Sequence, residues 1–265
     1  MRLCSIASGS SGNCIYVGSD ATHLLVDVGI SGKKAEAGLN SLGLAGGDID
    51  GILVTHEHSD HIAGLGVLCR KYEIPIFATK GTIQAILKNG GKNAPEPSFF
   101  HEIEADSKLI IKDLAVSPMR ISHDAAEPVA YRIGYGAKRV AVCTDLGVYN
   151  DYTVECLKGM DALLLEANHD VNMLQVGPYP YYLKQRILGN KGHLSNENAG
   201  RLLSRILHDN LKAIVLGHLS KENNMPELAY ESVRMEITLG DCPYTAEDFP
   251  ISVAQRSEPS PVIEV

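Results

Sequence analysis

The chain has 265 residues, of which 45% are hydrophobic and 21% are charged, and a formal net charge of -8 at pH 7. This composition is typical of a globular protein with a core of its own, and it argues against a disordered or fibrous chain. The negative charge argues against a protein that coats nucleic acid by bulk electrostatics, although a local positive site is compatible with it.

The six cysteines lie far apart and form no C-x-x-C pair, so we expect reduced thiols in the core and no disulfide framework. The amino terminus lacks a hydrophobic region of signal-peptide length, and no stretch reaches the roughly 18 consecutive apolar residues of a membrane span. These features predict a cytoplasmic protein that does not enter a membrane.

Short apolar runs alternate with amphipathic stretches along the chain. The first part predicts strands at "RLCSIAS", "CIYVGS" and "HLLVDVG", a small-residue turn over 8–13, a helix over 32–42, and a strand at "GILVTH" that enters a polar loop. A helix at "HIAGLGVLCRKY" and a strand at "IPIFAT" follow. The rest predicts strands at "KLIIKDLAVSPMRISHD", "PVAYRIGY", "RVAVCTD", "DALLLEANHD" and "KAIVLGHLS", and helices near 195–208 and within "NNMPELAY".

This order of elements indicates an α/β fold. Strands and helices interleave, but successive strands also look hairpin-linked, which favours a mixed-sheet sandwich covered by helices over a purely parallel sheet. We predict one domain over residues 1–256 and a loose tail over residues 257–265.

Polar residues of the kind that bind metals recur directly after the apolar strands. They are Asp27, His56, His123, Asp145, Glu166, His169 and His218. If these strands belong to one fold, their ends can converge on one edge. The pattern therefore predicts a metal site at that edge.

The densest cluster is H-x-H-x-D-H at His56, His58, Asp60 and His61. Residues two apart project to the same side of an extended backbone, so His56 and His58 can bind one ion while Asp60 and His61 reach a neighbouring one. Imidazole and carboxylate suit zinc, iron or manganese, and the absence of a nearby cysteine argues against a soft structural site. The alternative interpretation is a solvated polar loop.

These motifs resemble the metallo-β-lactamase-fold superfamily, from Asp27 through H-x-H-x-D-H to His218. The resemblance implies a four-layer αββα sandwich with mixed sheets and two divalent metal ions between them. By position, one ion would be held by His56, His58 and His123, the other by Asp60, His61 and His218, with Asp145 bridging both. Asp27 would orient a ligand histidine without being a ligand.

The bridging position narrows the expected chemistry. True lactamases of the superfamily have cysteine where this chain has Asp145, and they are secreted, so lactamase activity is disfavoured. A bridging carboxylate with two ions fits hydrolysis of a phosphodiester or a thioester, because two cations can activate a water and neutralise charge in the transition state.

The segment 171–193 favours a phosphodiester over a thioester as the substrate. It has no acidic residue, but contains a set of cations and tyrosines that would suit a nucleic-acid strand: Tyr179, Tyr181, Tyr182, Lys184, Arg186 and Lys191. DNA is the expected partner, with RNA as the alternative. A basic amphipathic helix preceded by a core tyrosine cluster would give the same pattern without binding nucleic acid.

Further motifs resemble the nuclease branch of the superfamily. "GHLSNENA" is similar to its histidine loop, which makes His193 a general acid or transition-state stabiliser with Glu166 or His169 as its orienting partner. Asp60 would accept a proton from the attacking water. The serine-rich turn would offer N–H groups to a phosphate or simply form a tight turn. Together with "SIASGSSGNCIYV" and "LEANHD", the motifs are most similar to the bacterial YycJ (WalJ) group, which implies 5'-to-3' digestion of DNA associated with mismatch repair.

Other functions remain open on the same residues. A phosphodiesterase for small or cyclic nucleotides needs the metal site but not the tyrosines and cations of 171–193. A ribonuclease of the tRNA-processing type is a further alternative, although its long flexible arm is not obvious. A di-iron redox protein or a non-catalytic DNA-binding subunit is disfavoured, because the ligand set is complete and no flavin domain is evident.

Overall fold

A computed structural model describes residues 1–91 and 94–265 of the chain. Within these ranges the strands are β1 (Arg2–Ala7), β2 (Cys14–Gly18), β3 (His23–Val26), β4 (Gly51–Leu53), β5 (Ile76–Thr79), β6 (Phe100–Ile103), β7 (Leu109–Ile111), β8 (Leu114–Arg120), β9 (Val129–Tyr135), β10 (Lys138–Cys143), β11 (Ala162–Glu166), β12 (Ala213–Gly217), β13 (Ile251–Val253) and β14 (Ile263–Glu264). The α-helices are α1 (Gly32–Ser41), α2 (Ser59–Ile62), α3 (Leu65–Tyr72), α4 (Lys80–Asn89), α5 (Asp151–Leu157), α6 (Val171–Val176), α7 (Tyr181–Leu188), α8 (Asn196–Ile206) and α9 (Pro226–Thr238).

The strands form two seven-stranded mixed sheets with the same pattern of pairing. The first has the order β14-β1-β2-β3-β4-β5-β6 and the second the order β13-β12-β11-β10-β9-β8-β7. In the first sheet the pairs from β14 to β3 are antiparallel and those from β3 to β6 are parallel. The second sheet likewise is antiparallel from β7 to β10 and parallel from β10 to β13. The predicted mixed sheets are confirmed.

The two sheets pack face to face through an apolar layer. Val17 and Val26 of the first sheet share one buried cluster with Val116 and Val142 of the second. Successive side chains of a strand point to opposite faces, so only alternate residues enter this layer. The others need cover on the outer faces.

Helices supply that cover on both outer faces. On the first sheet, Tyr16 is buried in one cluster with Leu39 of α1. On the second, Leu165 is buried with Leu202 of α8 and Val233 of α9. Strands buried on both faces read as continuous apolar runs, as "ALLLE" does in β11. The predicted four-layer αββα sandwich is confirmed.

Several expected site residues follow parallel strands directly, at the same edge of the sandwich. Asp27 follows β3, Asp145 comes soon after β10, and His218 follows β12. These three residues have φ angles of 61°, 56° and 56°, in the left-handed region that non-glycine residues rarely occupy. Such strained residues cluster at functional sites, where the surrounding structure holds them in place.

The helix expected at "HIAGLGVLCRKY" is divided into α2 and α3. Gly64 lies at the break, where its N–H donates to Val28 O at 2.8 Å. A Cβ at this position would lie 2.0 Å from Ile30 O, so only glycine permits the contact. Asp60, which we expected in the polar loop, lies with His61 in the short helix α2.

The carboxy-terminal residues 257–265 do not form the expected loose tail. Strand β14 pairs antiparallel with β1, with Leu3 opposite Ile263. Ser260 extends the contact, because its N–H donates to Ser5 O at 2.8 Å and its Oγ accepts the N–H of Ser5 at 3.0 Å. The prediction was wrong because β1 would otherwise be an edge strand with unpaired backbone groups, which the tail satisfies.

Two expectations from the sequence concern the cysteines and the membrane. All six cysteines are free thiols, as predicted, and burial raises the pKa of Cys14 and of Cys143. In the ranges 1–91 and 94–265, no helix combines the length and apolar character needed to cross a bilayer.

A hydrogen bond between the sheets supports the start of the segment 54–61. The hydroxyl of the fully buried Tyr131 in β9 donates to Val54 O, directly after β4, at 2.7 Å. Tyr131→Phe should lower the free energy of unfolding by about 1–2 kcal/mol, because it removes this donor from a buried acceptor. Urea unfolding measures the change. Tyr135→Phe, on the exposed end of the same strand, is the matched control, and an equal effect of both variants would contradict the assignment.

Candidate metal centre

The expected ligand residues lie together at one edge of the sandwich. The ring centroid of His56 is 4.5 Å from that of His58, 4.2 Å from that of His61 and 4.9 Å from that of His123. Ligand atoms lie within 4.8 Å of one another in overlapping groups: His56 with His58 and His123; His56 with His61 and Asp145; Asp60 with His61 and His218; and Asp145 with Glu166, His193 and His218.

One group consists of imidazoles alone. His58 Nδ1 and His123 Nε2 lie 3.3 Å apart. Zinc–nitrogen bonds of about 2.0–2.1 Å in a tetrahedral site place neighbouring ligand atoms about 3.4 Å apart. His56 Nε2 is buried and has no hydrogen-bond partner among the described residues. Three nitrogens thus converge, and one of them, His56 Nε2, has no partner within the described ranges, which is an arrangement that a cation would complete.

The second group mixes imidazole and carboxylate. Asp60 Oδ2 lies 3.5 Å from His61 Nε2 and 3.4 Å from His218 Nε2. Burial raises the pKa of Asp60, but His218 and His61 outweigh it and lower the pKa, so the carboxylate stays ionised. A charged carboxylate between two imidazoles is a donor set for a divalent cation.

Asp145 lies between the two groups. Its Oδ1 is 3.6 Å from His123 Nε2, and its Oδ2 is 2.9 Å from His61 Nε2. The latter contact lacks hydrogen-bond geometry, so the fully buried Oδ2 has no hydrogen-bond partner in the described part of the chain. Burial raises the pKa of Asp145, but His218 and His61 outweigh it and lower the pKa. An ionised, buried and unpaired oxygen is costly unless a cation binds it.

Hydrogen bonds on the other side of the rings fix which nitrogen faces inward. His61 Nδ1 donates to Asp27 Oδ2 at 2.7 Å, and His123 Nδ1 donates to the carbonyl of Gly192 at 3.0 Å. Carboxylate and carbonyl oxygens only accept, so Nδ1 carries a proton and Nε2 is the nitrogen that faces the centre and would bind a metal. Asp27 has the orienting position that the sequence predicts.

Thr55 extends the same support to His56. The Thr55 hydroxyl donates to Asp27 Oδ2 at 2.8 Å, which leaves its oxygen to accept from His56 Nδ1 at 3.0 Å. Asp27 Oδ1 accepts the N–H of Thr55 at 2.8 Å. One buried carboxylate therefore positions two histidines, one directly and one through a hydroxyl.

Glu166 has the corresponding place on the second sheet. Its Oε1 accepts from His193 Nδ1 at 2.9 Å and from His218 Nδ1 at 2.8 Å, and its Oε2 accepts the N–H groups of Leu146 and Leu194 at 2.7 and 3.1 Å. Burial raises the pKa of Glu166, but His193 and His218 outweigh it and lower the pKa to about 2. Glu166 is thus a fully satisfied buried anion.

His193 faces the centre from the loop before α8. Burial lowers its pKa, but the Glu166 carboxylate outweighs it and raises the pKa, so the ring favours the protonated form. Glu166 is the hydrogen-bond partner of His193. The other expected partner, His169, contacts Asn168 Oδ1 at 3.3 Å, and burial lowers the pKa of His169 to about 4.

The segment 171–193 consists mainly of the helices α6 and α7. Tyr181 and Tyr182 are 77% and 75% exposed, so they are not part of a core cluster. Tyr179 and Arg186 line a cavity of about 150 Å³ together with His193.

The cations of this segment differ in their surroundings. The guanidinium of Arg186 is paired with the Asp124 carboxylate, and Lys184 Nζ donates to the carbonyl of Gln175 at 2.7 Å. Lys191 is exposed. The structure therefore brings Tyr179 and Arg186 next to His193 and leaves Tyr181, Tyr182 and Lys191 on the surface.

The serine-rich turn over 8–13 is a closed turn beside the centre. Asn13 Oδ1 accepts the N–H of Gly9 at 3.0 Å, and the N–H of Gly12 donates to Gly9 O at 3.0 Å, so these groups are not available to a phosphate. Asn13 Nδ2 lies 3.2 Å from His61 Nε2, and Ser8 Oγ accepts the N–H of His218 at 2.8 Å. For these two N–H groups, the structure agrees with the alternative of a simple tight turn.

Sequence reasoning missed three residues of this centre: Asn13, Thr55 and Asp124. Thr55 immediately precedes His56 and Asp124 immediately follows His123, so adjacency to an expected ligand was the available clue. Asn13 ends the serine-rich turn that we expected near the site, but its contact with His61 depends on tertiary structure.

A family model described as a beta-lactamase superfamily domain matches residues 22–218 of the chain. The chain belongs to this superfamily. It is 45% identical over 228 residues to the exodeoxyribonuclease YycJ of Bacillus anthracis, covering 86% of each chain. It is 39% identical over 260 residues to the exodeoxyribonuclease WalJ of Streptococcus pneumoniae, covering 98% of this chain and 96% of the relative. The predicted membership of the YycJ/WalJ group is confirmed.

Solved structures of the superfamily share the fold. The metallo-beta-lactamase fold protein YhfI of Bacillus subtilis superposes with a TM-score of 0.71 at 18% identity, covering 98% of each chain. At this identity the likeness concerns the fold alone. The family and the relatives make the chain a metal-dependent hydrolase, and its His and Asp clusters suit divalent ions.

Asp27→Asn should weaken metal affinity by about 10- to 100-fold, because the amide cannot replace the carboxylate that orients His61 and Thr55. Competition with a chromophoric chelator for zinc or manganese measures the affinity. Asp20→Asn, at an exposed position of the β2–β3 turn, removes the same charge away from the centre and should leave the affinity unchanged. Equal affinities of wild-type protein and Asp27→Asn would contradict the orienting role.

Proposed function

We propose that this protein is a 5'-to-3' exodeoxyribonuclease that uses two divalent metal ions and acts in DNA repair, including mismatch repair, in the cytoplasm. The observation that carries the proposal is the convergence of imidazole and carboxylate atoms beside His193, among them the unpaired His56 Nε2 and Asp145 Oδ2. Relatives at 39–45% identity are named exodeoxyribonucleases, which supports a nucleic-acid substrate.

The donor atoms divide into two sets. One ion would be held by His56, His58 and His123, the other by Asp60, His61 and His218, with Asp145 as a shared ligand. Zinc or manganese suits these donors, and iron is also compatible with them. The bound ions would activate a water and neutralise charge on the phosphate. Burial lowers the pKa of His218, but Asp145, Asp60 and Glu166 raise it to about 10, so ion binding would displace a proton from this ring.

His193 supplies the acid. Its Nδ1 is held by Glu166 Oε1 at 2.9 Å, which keeps the ring protonated and fixes its direction. The ring centroid lies 5.2 Å from that of His123 and 5.4 Å from that of His218, so the ring borders both ligand sets. From there it stabilises the phosphate oxygens and donates a proton to the departing 3' oxygen. Asp60 would accept the proton of the attacking water, and no assigned role remains for His169.

The strand would approach over α6 and α7. The exposed rings of Tyr181 and Tyr182 offer faces for bases, while Lys184 and Lys191 offer charge for phosphates. Tyr179 and Arg186 line the cavity beside His193, where Arg186 would exchange Asp124 for a phosphate oxygen. RNA offers the same phosphates and is the alternative polymer.

A small or cyclic nucleotide phosphodiesterase is the second candidate. The cavity at His193 has a volume of only about 150 Å³, and Asp124 already neutralises Arg186. Both observations fit a small diester as well as the end of a strand. The exposed tyrosines favour the polymer.

The polymer assay separates these candidates. With manganese or zinc, the protein should release nucleotides from the 5' end of labelled DNA and should also hydrolyse bis(p-nitrophenyl) phosphate. Tyr181→Ala/Tyr182→Ala should weaken DNA binding by about 10-fold or more, since stacking contributes about 1–3 kcal/mol per base, and should spare the small diester.

Two controls make the result decisive. Tyr135→Ala removes another exposed tyrosine at the opposite end of the sandwich and should have no effect on DNA. His58→Ala should abolish both reactions. Hydrolysis of the small diester without cleavage of DNA would support the second candidate, and cleavage of RNA alone would support a ribonuclease.

His193→Gln should reduce DNA hydrolysis by about 10²- to 10⁴-fold but hydrolysis of bis(p-nitrophenyl) phosphate far less. The reason is that p-nitrophenolate departs as a stable anion, whereas the 3' oxygen of DNA needs a proton. The ratio of the two kcat values is the measurement. His101→Ala, an exposed histidine of β6, should leave this ratio unchanged, and an equal loss on both substrates would contradict the acid role.

A further inference from the structure

A second cavity lies on the other side of the serine-rich turn from the metal centre. It has a volume of about 270 Å³ and lies between α1, the turn over 8–13 and the chain after β13. Its lining includes Ser11, Ile30, Lys34, Ala37, Arg256 and Pro259. Pockets for drug-sized ligands have volumes of about 300–1,000 Å³, so this cavity suits a single small unit and not a duplex.

The cavity combines apolar walls with two cations. Ile30, Ala37 and Pro259 provide the apolar surface. Lys34 is exposed on α1, and neither Lys34 nor Arg256 forms an ion pair with a carboxylate in the part of the chain that the structure describes. Such a lining matches a ligand with a flat apolar part and a negative charge.

Arg256 is held in place without an ion pair among the described residues. Its Nη2 donates to Leu219 O at 3.0 Å and its Nη1 to Ser11 Oγ at 3.4 Å, and both acceptors are uncharged. The carboxylate of Glu222 acts on Arg256 electrostatically but forms no ion pair with it. Other arginines differ: Arg201 and Arg205 are paired with the carboxylates of Glu236 and Asp151. A positioned guanidinium without an ion pair can bind a phosphate.

The turn is shaped to admit this arginine. Gly9 has a φ of 147°, and a Cβ at this position would lie 2.8 Å from Arg256 Nη1 and 3.1 Å from Leu219 O. Any larger residue would therefore displace the guanidinium from its acceptor. The position of Arg256 therefore depends on the absence of a side chain at Gly9.

The serine-rich turn separates this cavity from the proposed catalytic site and borders both of them. Leu219, which holds Arg256, immediately follows His218, and Ser8 accepts the N–H of His218 at 2.8 Å. Ser10 lines the cavity at His193, while Ser11 lines the cavity at Arg256. A strand bound at His193 would reach the second cavity by crossing two exposed serines.

We propose that this second cavity binds one nucleotide unit of the DNA strand beyond the scissile phosphate, with its phosphate between Lys34 and Arg256 and its base against the apolar wall. The inference rests on the proposed nuclease function. It assigns α1 and the chain after β13 a part in holding the polymer, in addition to α6 and α7. A free mononucleotide has the same chemistry, and the experiment distinguishes it from the strand.

The test compares two neighbouring lysines of α1. Lys34 lines the cavity and Lys33 does not, although both are exposed, so Lys34→Glu and Lys33→Glu change the net charge equally. Binding of a fluorescent single-stranded oligonucleotide is measured by anisotropy over a range of salt concentrations, with chelator present to prevent hydrolysis. A mononucleotide is measured in parallel as competitor.

We expect Lys34→Glu to weaken oligonucleotide binding roughly tenfold and to reduce the slope of log K against log salt by about 0.7, the value for one phosphate contact on a single strand. Arg256→Gln should have a similar effect, while Lys33→Glu should resemble wild-type protein. Mononucleotide should compete weakly.

Other outcomes overturn the inference. Equal effects of Lys34→Glu and Lys33→Glu would mean that only overall charge matters. Tight, Lys34-dependent binding of mononucleotide without an effect on oligonucleotide would make the cavity a site for a free nucleotide. Wild-type protein that neither binds nor cuts DNA would contradict the proposed function as well, whereas DNA cleavage with unchanged binding by Lys34→Glu would contradict this inference alone.

Discussion

The centre depends on the hydrogen bonds that the buried carboxylate of Glu166 accepts. It receives His193 and His218 on one oxygen and the N–H groups of Leu146 and Leu194 on the other, so it joins the ends of several chain segments of the second sheet. On the first sheet, Asp27 does the same for His61 and, through Thr55, for His56. Each sheet thus carries one buried anion that aims imidazoles into the space between the sheets. Burying such an anion is costly unless every oxygen is satisfied, and both carboxylates are fully hydrogen-bonded.

Much of this arrangement could be predicted from the sequence because strand ends share an edge. An apolar run that ends in Asp, Glu or His predicts both a strand and the place of the polar residue at its end. This pattern was enough to predict that His123, Asp145 and His218 lie near the loop at 56–61. Local patterns could not show which of two candidates contacts His193, since Glu166 and His169 are separated by only two residues and the outcome depends on the direction of β11. The sequence also did not predict the break at Gly64 or the pairing of β14 with β1, because each depends on a contact with a distant segment.

An acidic chain can bind nucleic acid when its few free cations are concentrated near the reacting group. Here the cavity at His193 contains Arg186, and the cavity beyond the serine-rich turn contains Arg256 and Lys34. The two arginines differ in a way that bears on their use. Arg186 is paired with Asp124 and must exchange partners to bind a phosphate, whereas Arg256 has only uncharged acceptors. Phosphate binding would therefore begin at Arg256 more readily than at Arg186, which favours a substrate that extends across the turn over one confined to the small cavity.

We propose that these side chains hold two ions in a shared site. Anomalous diffraction from crystals saturated with manganese, recorded above and below the metal absorption edge, tests this directly. We expect two peaks: one among His56, His58 and His123, the other among Asp60, His61 and His218, with Asp145 contacting both. A single peak at saturating manganese, or peaks away from these residues, would contradict it.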